Sequence, residues 1–300
     1  LRHGHRWEHT TAGYLQDAGN YCKKFLVDAG ILNDVIDVSS PDLKQSRISS
    51  FIDKAKVQIW KSTAIPDQIC NLNAYAAPLA GKILGVAPSK TLDKNLTRVE
   101  FVHEVAARLY VDVFEENTPC NFCGTQIDAK GRHCKSCMSG GDHVLVHNTV
   151  RDIVEDYCKR GCLRPEPEAP ALLSNISAPD GRRRPADVFV CSATCLARRL
   201  PDGSRLAGRR VALDFAIINA VGRGHWNATL QEPGSAEIAY AERKCRYQDT
   251  RNKCQQVGLE FQPMIMSSQG GMTPAMGGIL HGIANAAATM EGALPCLLYT

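Results

Sequence analysis

The stretch CNFCGTQIDAKGRHCKSC, residues 120 to 137, concentrates four cysteines and a histidine in eighteen positions. Zinc takes four tetrahedral thiolate or imidazole ligands, and two cysteines separated by two residues on a tight turn can place both sulfurs on one ion. Cys120 and Cys123 supply such a pair. Cys134 and Cys137 would complete a four-cysteine ribbon, whereas His133 and Cys137 would complete a knuckle of three cysteines and one histidine. Spacing alone slightly favours the ribbon. Unliganded thiols on a loop would invite oxidation, and a redox CxxC lacks a βαβ pattern around either pair, so zinc is the expectation.

The wider cysteine usage sets the context. Thirteen cysteines without a visible secretory signal read as reduced thiols and metal ligands rather than as a disulfide framework. The expected setting is intracellular, nuclear or cytoplasmic, and not secreted. No apolar run approaches the roughly 18 to 20 residues that cross a bilayer. The start at Leu1 rather than Met suggests a segment of a longer product. With 300 residues and 44% apolar content, two or three units can each bury a core.

Along the chain, residues 1–95 read as a helical region and linker, 96–148 as the zinc-containing part, and 149–300 as a second, mixed domain. YLQDAGNYCKKFLVDAGIL, FIDKAKVQIWKS after a Ser49 or Ser50 cap, and RVEFVHEVAARLYVDVF have helical periodicity. Pro78 and Pro88 mark a connector between them. HVLVHNTVRDIVEDYCKRGC predicts an amphipathic helix closed by Gly161. RPADVFV, RRVALDFAII and LEFQPMIMS predict strands, with a further strand placed at Glu168–Leu173. A helix from a Ser235 cap to Gly258 and a final small-residue helix, PAMGGILHGIANAAATM, complete the pattern. The resulting fold class is α/β, in the order helix, three strands, helix, strand.

Two carboxylates stand in the predicted strands, Asp187 in RPADVFV and Asp214 in RRVALDFAII, with Glu168 as a third candidate. Carboxylates converging on one sheet edge bind a hard cation such as Mg2+, which polarises a phosphodiester and activates water. Lys244, on the following helix, is placed to orient the attacking water or stabilise developing charge. The alternative is that these acids cap strands or pair with nearby arginines. Between Gly181 and Arg210 there are eight arginines against two acids, and AERKCRYQDTRNK adds five basic residues against two acids. The net charge is only +4, but this local excess suits a phosphate backbone. Arg182, Arg183, Arg184, Arg209 and Arg210 are the candidate contacts.

The segments ARLYVDVFEENTPCNFCG, DAKGRHCKSCMSGGDHVLVHNTVRD, RRRPADVFV, ALDFAIIN, AERKCRY and GLEFQPMIMSSQGG together resemble the carboxy-terminal region of non-LTR retrotransposon polyproteins that carry a zinc knuckle followed by a restriction-enzyme-like endonuclease. The resemblance covers roughly residues 70 to 290. It implies a PD-(D/E)xK core, and it selects Cys120, Cys123, His133 and Cys137 as zinc ligands, leaving Cys134 aside. It also implies catalytic roles for Asp187, Asp214, Lys244 and Glu168. Pro185 and Asp187 stand for the PD element with Ala186 inserted. His147 and Asn148 match a His-Asn pair at the first nuclease helix, and Lys244 with Tyr247 matches K-x-x-Y; His147, Asn148 and Tyr247 are expected to touch nucleic acid. Ala216 occupies the position where a lysine usually follows the second acid, so Lys244 would be its migrated counterpart. The implied cofactors are structural Zn2+ and catalytic Mg2+, and the implied partners are DNA, element RNA and an upstream polymerase domain, of which residues 1–95 would be the tail. The expected activity is a nick in target DNA that primes reverse transcription. A zinc-containing nucleic-acid-binding module without catalysis is the alternative, and a zinc-stabilised protein-interaction domain leaves the carboxylates and arginines unexplained.

Overall fold

The computed structural model of the chain describes residues 45–82, 95–115, 118–173, 176, 184–192 and 210–292, with isolated positions between 17 and 27. The helix expected over residues 14–32 falls outside them apart from those isolated positions. The chain divides into two compact units, Leu1–Ile69 and Cys70–Thr300. Helix α1 (Gln45–Thr63) lies in the first and begins ahead of the expected Ser49 or Ser50 cap. Its last carbonyls are met by its own hydroxyls, Ser62 Oγ to Ile59 at 2.7 Å and Thr63 Oγ1 to Trp60 at 3.1 Å, as a helix terminus requires. Helix α2 (Pro66–Tyr75) opens on a proline, whose missing N–H costs nothing in the first turn.

In the second unit, α3 (Arg98–Arg108) starts from a reciprocal capping box: Thr97 Oγ1 accepts the Glu100 N–H and Glu100 accepts the Thr97 N–H. It ends before the expected Phe114, because Tyr110 takes a left-handed conformation (φ 58°) that a right-handed helix cannot continue. The zinc-candidate region follows, with the short hairpin β1 (Thr118–Pro119) and β2 (Gln126–Ile127). Next come α4 (Asp142–Arg160), β3 (Pro165–Pro167), β4 (Val188–Val190), β5 (Arg210–Ile218), α5 (Trp226–Gln231), α6 (Ser235–Arg246), α7 (Thr250–Gln256), β6 (Leu259–Ser267) and α8 (Pro274–Glu291).

The sheet runs β3-β4-β5-β6, antiparallel across the first three strands and parallel between β5 and β6. Parallel neighbours need a crossover, and α5, α6 and α7 supply it. The expected order of helix, three strands, helix and strand is therefore present in a mixed sheet, with two corrections. The first strand is Pro165–Pro167 instead of Glu168–Leu173, because Glu168 (φ 45°) and Ala171 (φ 58°) have left the extended region. The expected helix from Ser235 to Gly258 breaks at Gln248 and Asp249, both at positive φ, which separates α6 from α7. Ser235 also does not cap α6: Gly234 takes that place, while the single Ser235 hydroxyl proton is shared between the Ala228 carbonyl, within α5, and the Glu232 carbonyl.

Strand pleating sorts the core onto two faces. Val211, Leu213 and Phe215 of β5 join Val188, Val190, Val154, Cys158, Met276 and Ile283 beneath α4 and α8. Ala212 joins Phe189, Phe261, Cys245 and Cys254 beneath α6 and α7. Because β5 is covered on both faces, its sequence is almost continuously apolar. Gly161, which ends α4, lets α8 approach closely: a Cβ there would lie 3.0 Å from Ala286 Cβ and 3.1 Å from Ala287 N.

Leu213 is fully buried at the centre of this arrangement. Leu213→Ala should cost about 2–5 kcal/mol through lost burial and the cavity left behind, read as a lower midpoint in chemical denaturation.

Candidate metal and nucleic-acid sites

The β1–β2 hairpin and a 3-10 turn at His133–Lys135 build the first site. Cys120 donates its backbone N–H to Thr125 O at 2.9 Å, and Gly124, at φ 71°, returns its own to Cys120 O at 2.8 Å. This tight turn aims Cys120 and Cys123 at the same point. Gly131 (φ 66°) admits the second half: a Cβ there would meet Phe114 Cε2 at 2.8 Å. The ligand atoms of Cys120, Cys123, His133 and Cys137 all lie within 4.8 Å of one another, with Cys123 Sγ 3.1 Å from His133 Nε2 and Cys120 Sγ 3.8 Å from Cys137 Sγ. Cys134 stays outside the group. The spacing preference for a four-cysteine ribbon therefore gives way to three cysteines and one histidine, because the turn that carries His133 brings its ring onto the sulfurs.

This Cys3His set can hold a metal such as zinc, whose preferred donors are these. Hydrogen bonds from Thr125 hold the Cys123 thiol down at about 6, which favours the thiolate a metal needs. Backbone N–H groups at Phe122 and Cys123 lower Cys120 as well.

Polar contacts tie this region to its surroundings. Lys135 Nζ reaches Tyr75 Oη of α2 at 2.7 Å and Glu104 of α3 at 3.2 Å, and Asn219 Nδ2 donates to the Arg132 carbonyl at 2.9 Å. Gln269 fixes that asparagine, donating to Asn219 Oδ1 at 3.0 Å while accepting the Ala220 N–H at 3.1 Å. A cavity of about 830 Å³ opens beside this junction, lined among others by Arg132, Asn219, Arg223 and Trp226.

The second site follows from strand parity. Asp214 alternates with Leu213 and so faces α6, whose Lys244 Nζ sits 2.9 Å from both carboxylate oxygens. Asp187, one residue before β4, has the parity of Phe189 and continues the ladder, donating its N–H to Leu213 O at 2.9 Å. Its Oδ2 accepts the Phe215 N–H at 2.7 Å and lies 3.4 Å from His147 Nε2. Burial pushes the Asp214 carboxyl above the usual range; Lys244 opposes the shift and the Asp187 charge adds to it.

Comparison with protein-family models, curated proteins and solved structures gives no match for this chain.

Glu168 is turned to a different task. Its two oxygens meet Arg151 Nη1 at 3.3 Å and Arg184 Nη1 at 2.7 Å, the pairing with nearby arginines that the sequence left open. Among the described residues only the cysteine cluster gathers three or more such donors within 4.8 Å, so Glu168, Asp187 and Asp214 do not stand as a closed triad. Arg210 donates to the Val257 carbonyl at 2.9 Å and Tyr247 is exposed. Asn148 lies beside His147, Oδ1 to Nδ1 at 3.3 Å. Arg182, Arg183 and Arg209 fall outside the described residues. Sequence reasoning passed over Arg151, although it stands four residues after His147 on α4 and so shares its face. Among the described residues no helix is long and apolar enough to cross a membrane.

Two outcomes follow. Purified protein should contain about one zinc per chain; elemental analysis should find it retained in Cys134→Ser and lost in His133→Ala. Asp214 carries a raised carboxyl, so the folded state holds its proton more tightly than the unfolded state, and its ionisation costs stability as pH rises above the ordinary value of 3.8. Asp214→Asn should therefore melt higher than the wild type at neutral pH. The advantage should shrink as the pH falls towards that value, as followed by thermal melting across pH.

Proposed function

We propose that this chain contains a metal-dependent DNA endonuclease module of a retroelement polyprotein, with a zinc knuckle beside a restriction-endonuclease-like PD-(D/E)xK core. The observation that carries this reading is the convergence of Asp187 and Asp214 from neighbouring strands on one sheet face, with Lys244 at 2.9 Å from Asp214. The helix, three strands, helix, strand order and the Cys3His cluster support it.

Asp187 and Asp214 would hold Mg2+, which supplies Lewis acidity to the scissile phosphate and lowers the pKa of a bound water. Lys244, which pairs with Asp214, would place its ammonium to orient the attacking water and to stabilise the negative charge that develops on the phosphate. Water oxygen would bond to phosphorus as the P–O3′ bond breaks, the water giving up a proton to solvent and the departing oxygen taking one from it, to leave a 5′ phosphate and a 3′ hydroxyl. That hydroxyl is the group from which reverse transcriptase in the upstream part of the polyprotein would extend, copying element RNA. The zinc knuckle and the arginines around position 184 position DNA and cut nothing themselves. Such a module would work at nuclear DNA.

One observation favours a second reading, a zinc-containing nucleic-acid-binding module without catalysis. Lys244 is committed to Asp214 and Glu168 to two arginines, and Ala216 stands where a lysine often follows the second acid.

A plasmid-nicking assay with Mg2+ separates the two. Wild type should convert supercoiled to open-circular DNA; Asp214→Ala should abolish nicking, and Lys244→Ala should slow it by about 10²-fold or more, with zinc content and DNA affinity retained. Binding that weakens steeply with salt but yields no nick in Mg2+ or Mn2+ would leave the binding module.

A further inference from the structure

The His147 ring was expected to touch nucleic acid, yet it points into the carboxylate site. His143, in the first turn of α4, reaches the Ile217 carbonyl of β5 at 3.1 Å and so fixes that end of α4 over the strand carrying Asp214. One turn later, His147 Nε2 lies 3.4 Å from Asp187 Oδ2. The ring is partly buried, with 24% of its side chain exposed against 25% for Asp187 and 19% for Asp214; both Asp187 and His147 act electrostatically on the Asp214 carboxyl, although the three donors are not gathered within 4.8 Å of one another.

The other ring nitrogen has a partner of its own. Nδ1 stands 3.3 Å from Asn148 Oδ1. With the proton on Nδ1 donated to that carbonyl oxygen, the Nε2 lone pair faces the acids. Histidines that ligate metals are held in this way, by an outer acceptor that fixes both tautomer and ring orientation. The Phe215 N–H does the same for Asp187, occupying Oδ2 while Oδ1 has no hydrogen-bond partner among the described residues.

We propose that His147 is a ligand of the divalent cation in the Asp187–Asp214 site, with Asn148 as its outer-shell partner, and that the site therefore takes Mn2+ in preference to Mg2+. The proposal rests on the endonuclease reading for its cation and adds the donor set. Mg2+ keeps oxygen ligands and water, whereas an imidazole nitrogen suits first-row transition ions better. Lys244 occupies the cation's place on Asp214, and closing the site requires that carboxylate to turn from the ammonium towards Asp187 and His147.

The test is direct binding of Mn2+ to the whole zinc-loaded chain without DNA, followed by loss of the free-ion EPR signal and by pulsed EPR for a nitrogen coupled to the ion, with Mg2+ as competitor. Wild type should bind Mn2+ more tightly than Mg2+ and show a directly bound nitrogen. His147→Ala should lose the nitrogen signal and weaken Mn2+ by about 10- to 100-fold with little change for Mg2+, and Asn148→Ala should lie between. His147→Asp should restore binding with the preference for Mn2+ reduced, which separates ligand loss from misfolding; zinc content and melting of each variant complete that control. Mn2+ binding without nitrogen coupling, equal Mn2+ affinity in wild type and His147→Ala, or no Mn2+ binding would each overturn the proposal. Nicking in Mg2+ by a protein that fails this test would leave the endonuclease reading standing. Nitrogen-coupled Mn2+ in a protein that never nicks would leave the ligand set standing alone.

Discussion

A carboxylate at position 214 is the anomaly around which the second unit is organised. Strand β5 lies between two helical layers, and its buried positions are Val211, Ala212, Leu213, Phe215 and Ile218. A pleated strand gives every second side chain to each layer, so one polar residue among them is committed to a particular face and must find partners there. Lys244 from α6 is that partner, and Asp187 follows on the same face because the β4–β5 register continues one residue beyond the ladder. The raised carboxyl of Asp214 shows that these contacts do not fully offset burial. An apolar side chain here would avoid that electrostatic cost.

Much of this was legible from β-branched and aromatic runs between turn residues. VFV, RVALDFAII and LEFQPMIMS are strands because such runs leave few alternatives, and Gly258, at φ 72°, follows the end of α7 as its conformational freedom suggests. What sequence could not show was backbone reversal by ordinary residues. Glu168, Gln248 and Asp249 adopt positive φ without being glycine, so the first strand fell a few residues late and one helix became two. The capping box of α3 is encoded in the Thr97–Glu100 spacing.

The sites divide in the same manner. Cys120 and Cys123 were secure from spacing, whereas the choice of His133 over Cys134 depended on a 3-10 turn only three residues long. Asp187 and Asp214 stand opposite each other because parity and register are periodic and can be counted, and Lys244 reaches Asp214 from α6. Glu168 does not join them, since charge pairing with Arg151 and Arg184 is a matter of direction in space that no spacing encodes.

The cysteine-rich turn is joined to the end of β5 through Asn219, which Gln269 holds, and to α2 and α3 through Lys135, so that amide and ammonium groups meet carbonyls, a phenol and a carboxylate. Such bonds fix angles sharply, yet each contributes only about 0.5–1.5 kcal/mol net, because water offers nearly the same partners. An oily seam would resist separation but tolerate sliding; this seam resists sliding and tolerates wetting. The turn is thus held in a defined orientation to the end of β5 by a joint that solvent can open one bond at a time, without exposing any of the apolar core behind it.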